Sequence, residues 1–301
     1  MKDRIEKAAA GIRRRVLAHT IKNNGGYMSQ ACSSAETLSA LYLGIMNLPK
    51  VEKPLKPGDF PGVPGPQNDR YETGAKFNGG HIKGYDRFYL SPAHYALGLY
   101  AALIETGRMT DDGLDHFNVD GSSVEMIGAE HSPGMEVTTG SLGQGISQAA
   151  GSALARKLKG DTGRNFVYLS DGEFDIGQTW EALQAANHYK LDNLIIFADM
   201  NGQQCDGTLE SVMTLGSVAD RLRAFGAVAI EIDGHDIDAL IDSVKTPHEN
   251  RVLAVLCKTD PCKCLTIMKR NYPKLHYLRF KSDSEKKEYE AVLQTQSGGE
   301  K

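Results

Sequence analysis

Residues 165–204 read NFVYLSDGEFDIGQTWEALQAANHYKLDNLIIFADMNGQQ, and their spacing decides the fold class. Asn165 to Ser170 is a short β-rich run. Phe174 to Tyr189 has helical spacing, with Trp180, Leu183, Ala186 and Tyr189 three apart. Asn193 to Asp199 is a second apolar run, Leu194-Ile195-Ile196-Phe197-Ala198. Two β runs joined through a helix form a βαβ unit, and its right-handed crossover makes the strands parallel. Val228 to Ile232, a helix from Asp236 to Val244, and Arg251 to Cys257 repeat the theme. The expected class is α/β, a mostly parallel sheet flanked by helices.

Outward from this unit, Asp3 to Lys22 reads as an amphipathic helix with Ile5, Ala8, Ala9, Ile12, Val16 and Leu17 on one stripe. Its Arg13-Arg14-Arg15 run is either an anion site or, the favoured reading, a solvated face. A second helix is expected from Ser34 to Met46, capped by Ser34. Six of the eleven prolines fall between Pro49 and Pro66, interleaved with glycines. Neither helix nor central strand fits there, so an irregular excursion over about 49–85 is expected near a site or an interface. Residues 1–280 read as one domain. Residues 281–301 read as a polar, peripheral tail with one short helix, ending near Gly298-Gly299.

Composition narrows the function classes. Hydrophobic residues make up 41% and charged residues 24%, values of an ordinary globular protein. Thirty-four Lys+Arg against thirty-eight Asp+Glu leave a net charge of -4, which gives no electrostatic reason to expect nucleic acid or an anionic membrane as partner. The apolar runs are far shorter than the roughly 20 residues of a membrane helix. The charged start, Met1 to Lys7, lacks a secretory core, and five Cys is an odd count for a disulfide framework. The expected location is cytoplasmic.

The chemistry is expected beyond the carboxyl ends of the parallel strands. Ser170-Asp171-Gly172-Glu173 follows one strand and Asp199-Met200-Asn201-Gly202-Gln203 follows the next. Adjacent parallel strands would bring Asp171 and Asn201 to the same sheet edge. A carboxylate and an amide oxygen, joined by a backbone carbonyl, suit Mg²⁺ while leaving coordination positions for phosphate oxygens. Gly172, lacking a Cβ, permits close approach of a diphosphate, and a helix N-terminus follows.

A carboxylate in an Asp-Gly turn, followed thirty residues later by an Asn closing a buried strand, resembles the thiamine diphosphate-binding motif. The wording between them looks specifically like transketolase: Gly177-Gln178-Thr179-Trp180-Glu181-Ala182, His188-Tyr189-Lys190-Leu191-Asp192-Asn193-Leu194, and Asn201 to Gly207. Thr139-Gly140-Ser141-Leu142-Gly143-Gln144-Gly145, running into a small-residue helix from Ile146 to Leu158, and Asp86 to Ser91 followed by His94 agree. These blocks occupy most of residues 5 to 280 in family order. The resemblance implies a thiamine diphosphate-binding fold of the pyrophosphate-binding (PP) type. It implies Mg²⁺ on the side chains of Asp171 and Asn201 and the carbonyl of Gln203. Gly172 would lie against the diphosphate, and Gly140 and Leu142 would line the cofactor pocket. His94 and His276 match histidines near the diphosphate and the donor sugar. Glu181 matches a glutamate of the acidic network that couples paired cofactors across the subunit interface.

The implied reaction moves a two-carbon ketol unit from a ketose to an aldose. The cofactor carries that chemistry while the protein supplies position and electrostatics. Neutral imidazoles near pH 7 can shuttle protons to sugar hydroxyls. Several positions depart from the family pattern. Ser170 stands where members have Gly, and Tyr27 replaces an early Gly-His histidine. Ile176, beside Asp175, stands where an acidic residue is expected. A family Gly-His-Pro is missing, with His131 a candidate substitute. These departures leave the cofactor reading intact and put the usual sugar substrate in doubt, with sugar phosphates the default and sulfonated or branched sugars open.

After His276 only twenty-five residues remain, too few for another α/β domain. The family's activating glutamate comes from a separate pyrimidine-binding domain. The expectation is therefore the N-terminal subunit of a split transketolase. It would be active only with a C-terminal subunit carrying that domain, as a dimer of heterodimers. Two other readings stay open: the α subunit of a 2-oxo acid dehydrogenase, and a non-catalytic cofactor-binding or regulatory subunit. Cys257, Cys262 and Cys264 sit close together, but their spacing does not match a four-ligand zinc site, and ordinary thiols are the favoured reading.

Overall fold

A computed structural model describes residues 1–297; the Gly298-Gly299 end of the expected tail lies outside the described residues. The chain runs α1 (Lys2–Lys22), α2 (Met28–Ala40), β1 (Arg87–Leu90), α3 (Ala96–Glu105), α4 (Gln144–Leu158), β2 (Asn165–Ser170), α5 (Gly177–His188) and β3 (Leu194–Met200). A small hairpin, β4 (Gln203–Gln204) and β5 (Gly207–Thr208), precedes α6 (Leu209–Val212) and α7 (Val218–Ala224). Then follow β6 (Val228–Asp233), α8 (Ile237–Ser243), β7 (Leu253–Lys258) and α9 (Asp283–Ser297).

Five strands form one parallel sheet in the order β1-β2-β3-β7-β6. Both faces are covered, which explains the continuous apolar runs of its central strands. Phe166, Tyr168, Ile195, Phe197, Leu253 and Val255 pack on the side of α1, α2, α3 and α8. Val167, Leu169, Ile196, Ala198, Ala254 and Leu256 face the other way, toward α4, α5 and α7. The α/β class and the β2-α5-β3 unit stand as expected. In the β2–β3 register Ser170 faces Asp199, so both strands deliver their loops to the same edge. No helix among the described residues is long and apolar enough to cross a membrane.

The structure corrects several expectations. The second helix starts at Met28, not Ser34, and passes into a π-helical turn over Leu41–Ile45. Ser34 lies buried mid-helix, its hydroxyl donating to the Gln30 carbonyl at 2.6 Å. A hydroxyl can bond back to its own helix as well as cap one, and every residue of α2 is buried. Arg13 belongs to no solvated face: it is buried and forks onto Glu36 of α2, at 2.8 Å and 2.5 Å. Arg15 pairs with Glu105 and with Asp111. Tyr189 is exposed beyond the end of α5 rather than on its buried stripe. The helix expected from Phe174 begins at Gly177, after a 3₁₀ turn over Asp171–Asp175.

The tail carries the 15-residue α9, longer than the short helix expected. Tyr289 is fully buried against Phe280, and Arg270 lies over its ring while pairing with Glu285 and Glu288. The Pro-rich excursion is irregular and is pinned by its backbone. Leu55 exchanges hydrogen bonds with Arg108 and Thr110, and the Phe60 amide donates to the Gly121 carbonyl at 2.7 Å.

Candidate functional site

The turns after β2 and β3 meet. The Gly202 amide donates to Asp171 Oδ2 at 2.7 Å, and the Gly172 amide donates to Oδ1 at 2.9 Å. Asn201 directs its amide nitrogen toward Asp199 Oδ2 and the Tyr95 hydroxyl, both at 3.0 Å. Its Oδ1 accepts from the Gln203 amide at 2.9 Å. Asp199 was not singled out from sequence, yet it organises this edge. Fully buried at the end of β3, it accepts from Ser33 at 2.5 Å, Tyr95 at 2.6 Å and Thr259 at 2.5 Å. The available signal was a carboxylate closing an otherwise apolar strand. Burial, and then the charge of Asp199, pushes the Asp171 carboxyl up to about 7.

Asp171, Gly172, Asn201 and Gln203 line a cavity of about 410 Å³ together with Gly140, Leu142, His94 and His276. Eight of the nine predicted site residues thus share one cavity. The ninth, Glu181, does not: it stands on the exposed face of α5. Tyr27, Asp175 and Ile176 also line the cavity. His131 does not; it packs against Phe60 and lies 3.2 Å from Glu125, so it does not replace a missing histidine there.

Tyr27 joins the two imidazoles. His94 and His276 lie 4.8 Å apart between ring centroids, and Tyr27 is 5.9 Å from the first and 5.5 Å from the second. Tyr277, which sequence reasoning missed, closes on Tyr27 at 5.0 Å. Mutual Gly26–Leu278 backbone bonds and Gln30, which donates to the His276 carbonyl at 3.1 Å, hold this cluster. Burial, and then neighbouring His276, pushes His94 down to about 3; burial also lowers His276. These shifts favour the neutral imidazole at both positions, with one ring nitrogen of each an acceptor for a hydrogen bond.

The Asp171 turn is braced from behind. Ser170 and Glu173 form a reciprocal capping box, each side chain bonded to the other's backbone. Gly140 has φ +120° and is wedged beneath Ile127, where an added Cβ would come within 2.7 Å of a methyl carbon. The residues present fit a cation–diphosphate group. The donors are hard oxygens, and Asp171 is a buried carboxylate. Asp175 Oδ1 and Gln203 Oε1, on two lining residues, are buried with no hydrogen-bond partner. No Lys or Arg is among the described residues lining the cavity, so a diphosphate there would need a cation to offset its charge. The cysteines stand apart from this site, except Cys205 at the cavity wall. Cys257 and Cys262 are buried and Cys264 is exposed.

The family model described as "Transketolase, thiamine diphosphate binding domain" matches residues 77–261. The chain belongs to the transketolase family. Among curated proteins, it is 43% identical to the transketolase family protein y4mO of Sinorhizobium fredii over 203 residues, 65% of this chain and 72% of that one. It is 30% identical to one subunit of the apulose-4-phosphate transketolase of Actinobacillus succinogenes, covering 82% of this chain and 81% of that one. It is 33% identical to the 6-deoxy-6-sulfo-D-fructose transketolase subunit SqwG of a Clostridium species, covering 80% and 78%. Among solved structures, a Pichia stipitis transketolase in complex with sedoheptulose-7-phosphate shares the fold, with a TM-score of 0.71 at 24% identity. The alignment takes in 98% of this chain but only 44% of that one, so this transketolase-family chain spans less than half the length of the solved enzyme.

Proposed function

We propose that this chain is the N-terminal subunit of a two-subunit transketolase, a transferase that moves a two-carbon ketol unit from a ketose to an aldose. In this reading the side chains of Asp171 and Asn201 and the carbonyl of Gln203 hold Mg²⁺. Gly172 lies against the diphosphate, and Gly140 and Leu142 line the pocket. The single observation carrying the proposal is the junction of the Asp171 and Asn201 turns at one end of a cavity that also holds two neutral imidazoles. Bound thiamine diphosphate would supply the nucleophilic carbon that accepts and releases the ketol unit. His94 and His276 would exchange protons with substrate hydroxyls at their ring nitrogens, with Tyr27 fixing the spacing between them. Glu181, exposed on α5, suits the proposed coupling across an interface rather than contact with substrate.

The Actinobacillus relative is named as one subunit of its enzyme, which supports pairing with a second subunit. We propose that this partner is a C-terminal subunit carrying the pyrimidine-binding domain and that the pair assembles as a dimer of heterodimers. Sugars or sugar phosphates are the proposed substrates and the cytoplasm the proposed location. Relatives named for apulose-4-phosphate and for 6-deoxy-6-sulfo-D-fructose are the reason to include a sugar phosphate and a sulfonated sugar in the substrate panel. The decisive experiment is a ketol-transfer assay of the reconstituted pair with Mg²⁺ and thiamine diphosphate. Transfer that needs both polypeptides and vanishes in Asp171→Ala is expected. Decarboxylation of 2-oxo acids instead, or turnover unchanged by Asp171→Ala, would overturn the proposal.

A further inference from the structure

Glu173 is a fully buried carboxylate one residue beyond the Asp171-Gly172 pair, and its oxygens gather donors from three separate segments. Oε2 accepts from the Ser170 amide at 2.9 Å, at the end of β2. Oε1 accepts from the Gly143 amide at 3.0 Å, next to Leu142, and also from the Ser91 hydroxyl just past β1. Ser91 in turn accepts from the Gly145 amide at 3.2 Å, in the first turn of α4. The base of Glu173 is fixed as well, since the Ser170 side chain receives its amide and Thr179 donates to its carbonyl at 2.6 Å.

These segments are the ones that present the cavity-lining groups. The Ser170 end leads into Asp171 and Gly172, the Gly143 end into Gly140 and Leu142, and Ser91 lies three residues before His94. None of them is tied to another here by strand pairing except through β1 and β2, which stop at Leu90 and Ser170. Beyond that point the carboxylate spans the gap. Gly143 makes this possible: at φ +80° it brings its amide close, where an added Cβ would lie 2.8 Å from Ile176. Ser170, unusual at its position in the family pattern, becomes intelligible as the partner that caps the turn and holds Glu173 in place.

We propose that Glu173 is a positioning residue, a buried acceptor that sets the distance between the metal-binding turn and the Gly140–Leu142 loop and so determines cofactor affinity. The inference rests on the cofactor reading given above. Three donors converging on one carboxylate require acceptor oxygens on both arms. Glu173→Gln keeps the shape but turns an N–H toward an N–H, breaking one of the ties.

The test is calorimetric titration of thiamine diphosphate in Mg²⁺ into the full chain paired with its C-terminal subunit. Wild type is compared with Glu173→Gln, Ser91→Ala and Asp171→Asn, with melting curves of each. Glu173→Gln is expected to bind roughly 10-fold or more weakly, and Ser91→Ala to lose part of that. In the assay, KM for the cofactor should rise while kcat at saturation is retained. A merely structural role would lower the melting temperature and leave the affinity of the folded protein unchanged. A folded Glu173→Gln with wild-type affinity overturns the proposal. If that variant does not fold, Ser91→Ala with wild-type affinity overturns it instead. Failure of the underlying reading looks different: wild type would not bind, or Asp171→Asn would bind as wild type does.

Discussion

The Gly202 amide donates to Asp171 Oδ2 at 2.7 Å, so the loop that follows β3 is fastened to the carboxylate that follows β2. A cation bound here would replace or share that bond, and the two loops are already close enough to share it. Asp171→Asn keeps the shape and removes the charge. Because burial holds the Asp171 carboxyl up to about 7, a neutral amide relieves rather than adds electrostatic cost. Against that gain, both carboxylate oxygens accept backbone amides, so the Asn nitrogen faces an N–H and one of those bonds is lost. The variant should melt near the wild-type temperature without cofactor, yet lose the stabilisation that Mg²⁺ and thiamine diphosphate confer together. Thermal unfolding with and without both ligands checks this.

Tyr27 touches both imidazoles of the cavity and is only half-buried. Tyr27→Phe keeps the ring that spaces His94 and His276 and should retain most ketol transfer by the reconstituted pair. Tyr27→Ala removes the spacer and should cut kcat/KM by roughly 10-fold or more, a loss on the scale of a misplaced catalytic group. Equal activity of the two variants across a ketose panel would refute a spacing role.

His19 and His94 are half-buried and held in the neutral form. Burial, assisted by Lys22 and by His276 respectively, pushes them down to about 4 and about 3. The unfolded chain takes up these protons near pH 6.5. Below that value the unfolded state binds more protons at these two groups than the folded one, so they lower stability as pH falls toward 4. Asp171 and Glu173, both held up to about 7 by burial, take up protons in the folded state over the same range and act in the opposite sense, so the histidine contribution is read as a difference between variants. Replacing His19 by Gln should raise the melting temperature at pH 5 relative to that at pH 7.5 when compared with wild type, which scanning calorimetry at the two pH values would detect.

Glu36 is held down to about 2, where burial is outweighed by bonds from His235 and Arg13. Its contribution is present above the ordinary carboxylate range and disappears as pH drops toward 2. Glu36→Ala strands the buried Arg13 guanidinium and should cost about 3–5 kcal/mol in urea unfolding. The double replacement Arg13→Met with Glu36→Leu should cost much less, because no buried charge is left alone.

The strands β2, β3, β6 and β7 are legible in the sequence because a sheet covered on both faces writes itself as short apolar runs between turn residues. β1 is not: Arg87 to Leu90 is only four residues long and stands out only as part of a motif. The start of α2 is misplaced by sequence reasoning because Ser34 looks like a capping residue but is buried within the helix. Asp171, Asn201 and Gln203 are legible through turn logic and strand adjacency. Glu181 lies outside the cavity because helical geometry turns that position to the exposed side of α5, while Ala182 and Leu183 face the core. The Arg13–Glu36 and Glu173 bonds are invisible in the sequence, since each depends on segments that meet only after the chain is folded.

The pairing of Ser170 with Asp199 is a position in a ladder whose side chains alternate between faces. One residue inserted into β3 would swap its inner and outer faces and send the Asn201 amide away from its neighbour across the crevice. The tally of residues in those two adjoining strands is therefore fixed by the crevice that both of them serve.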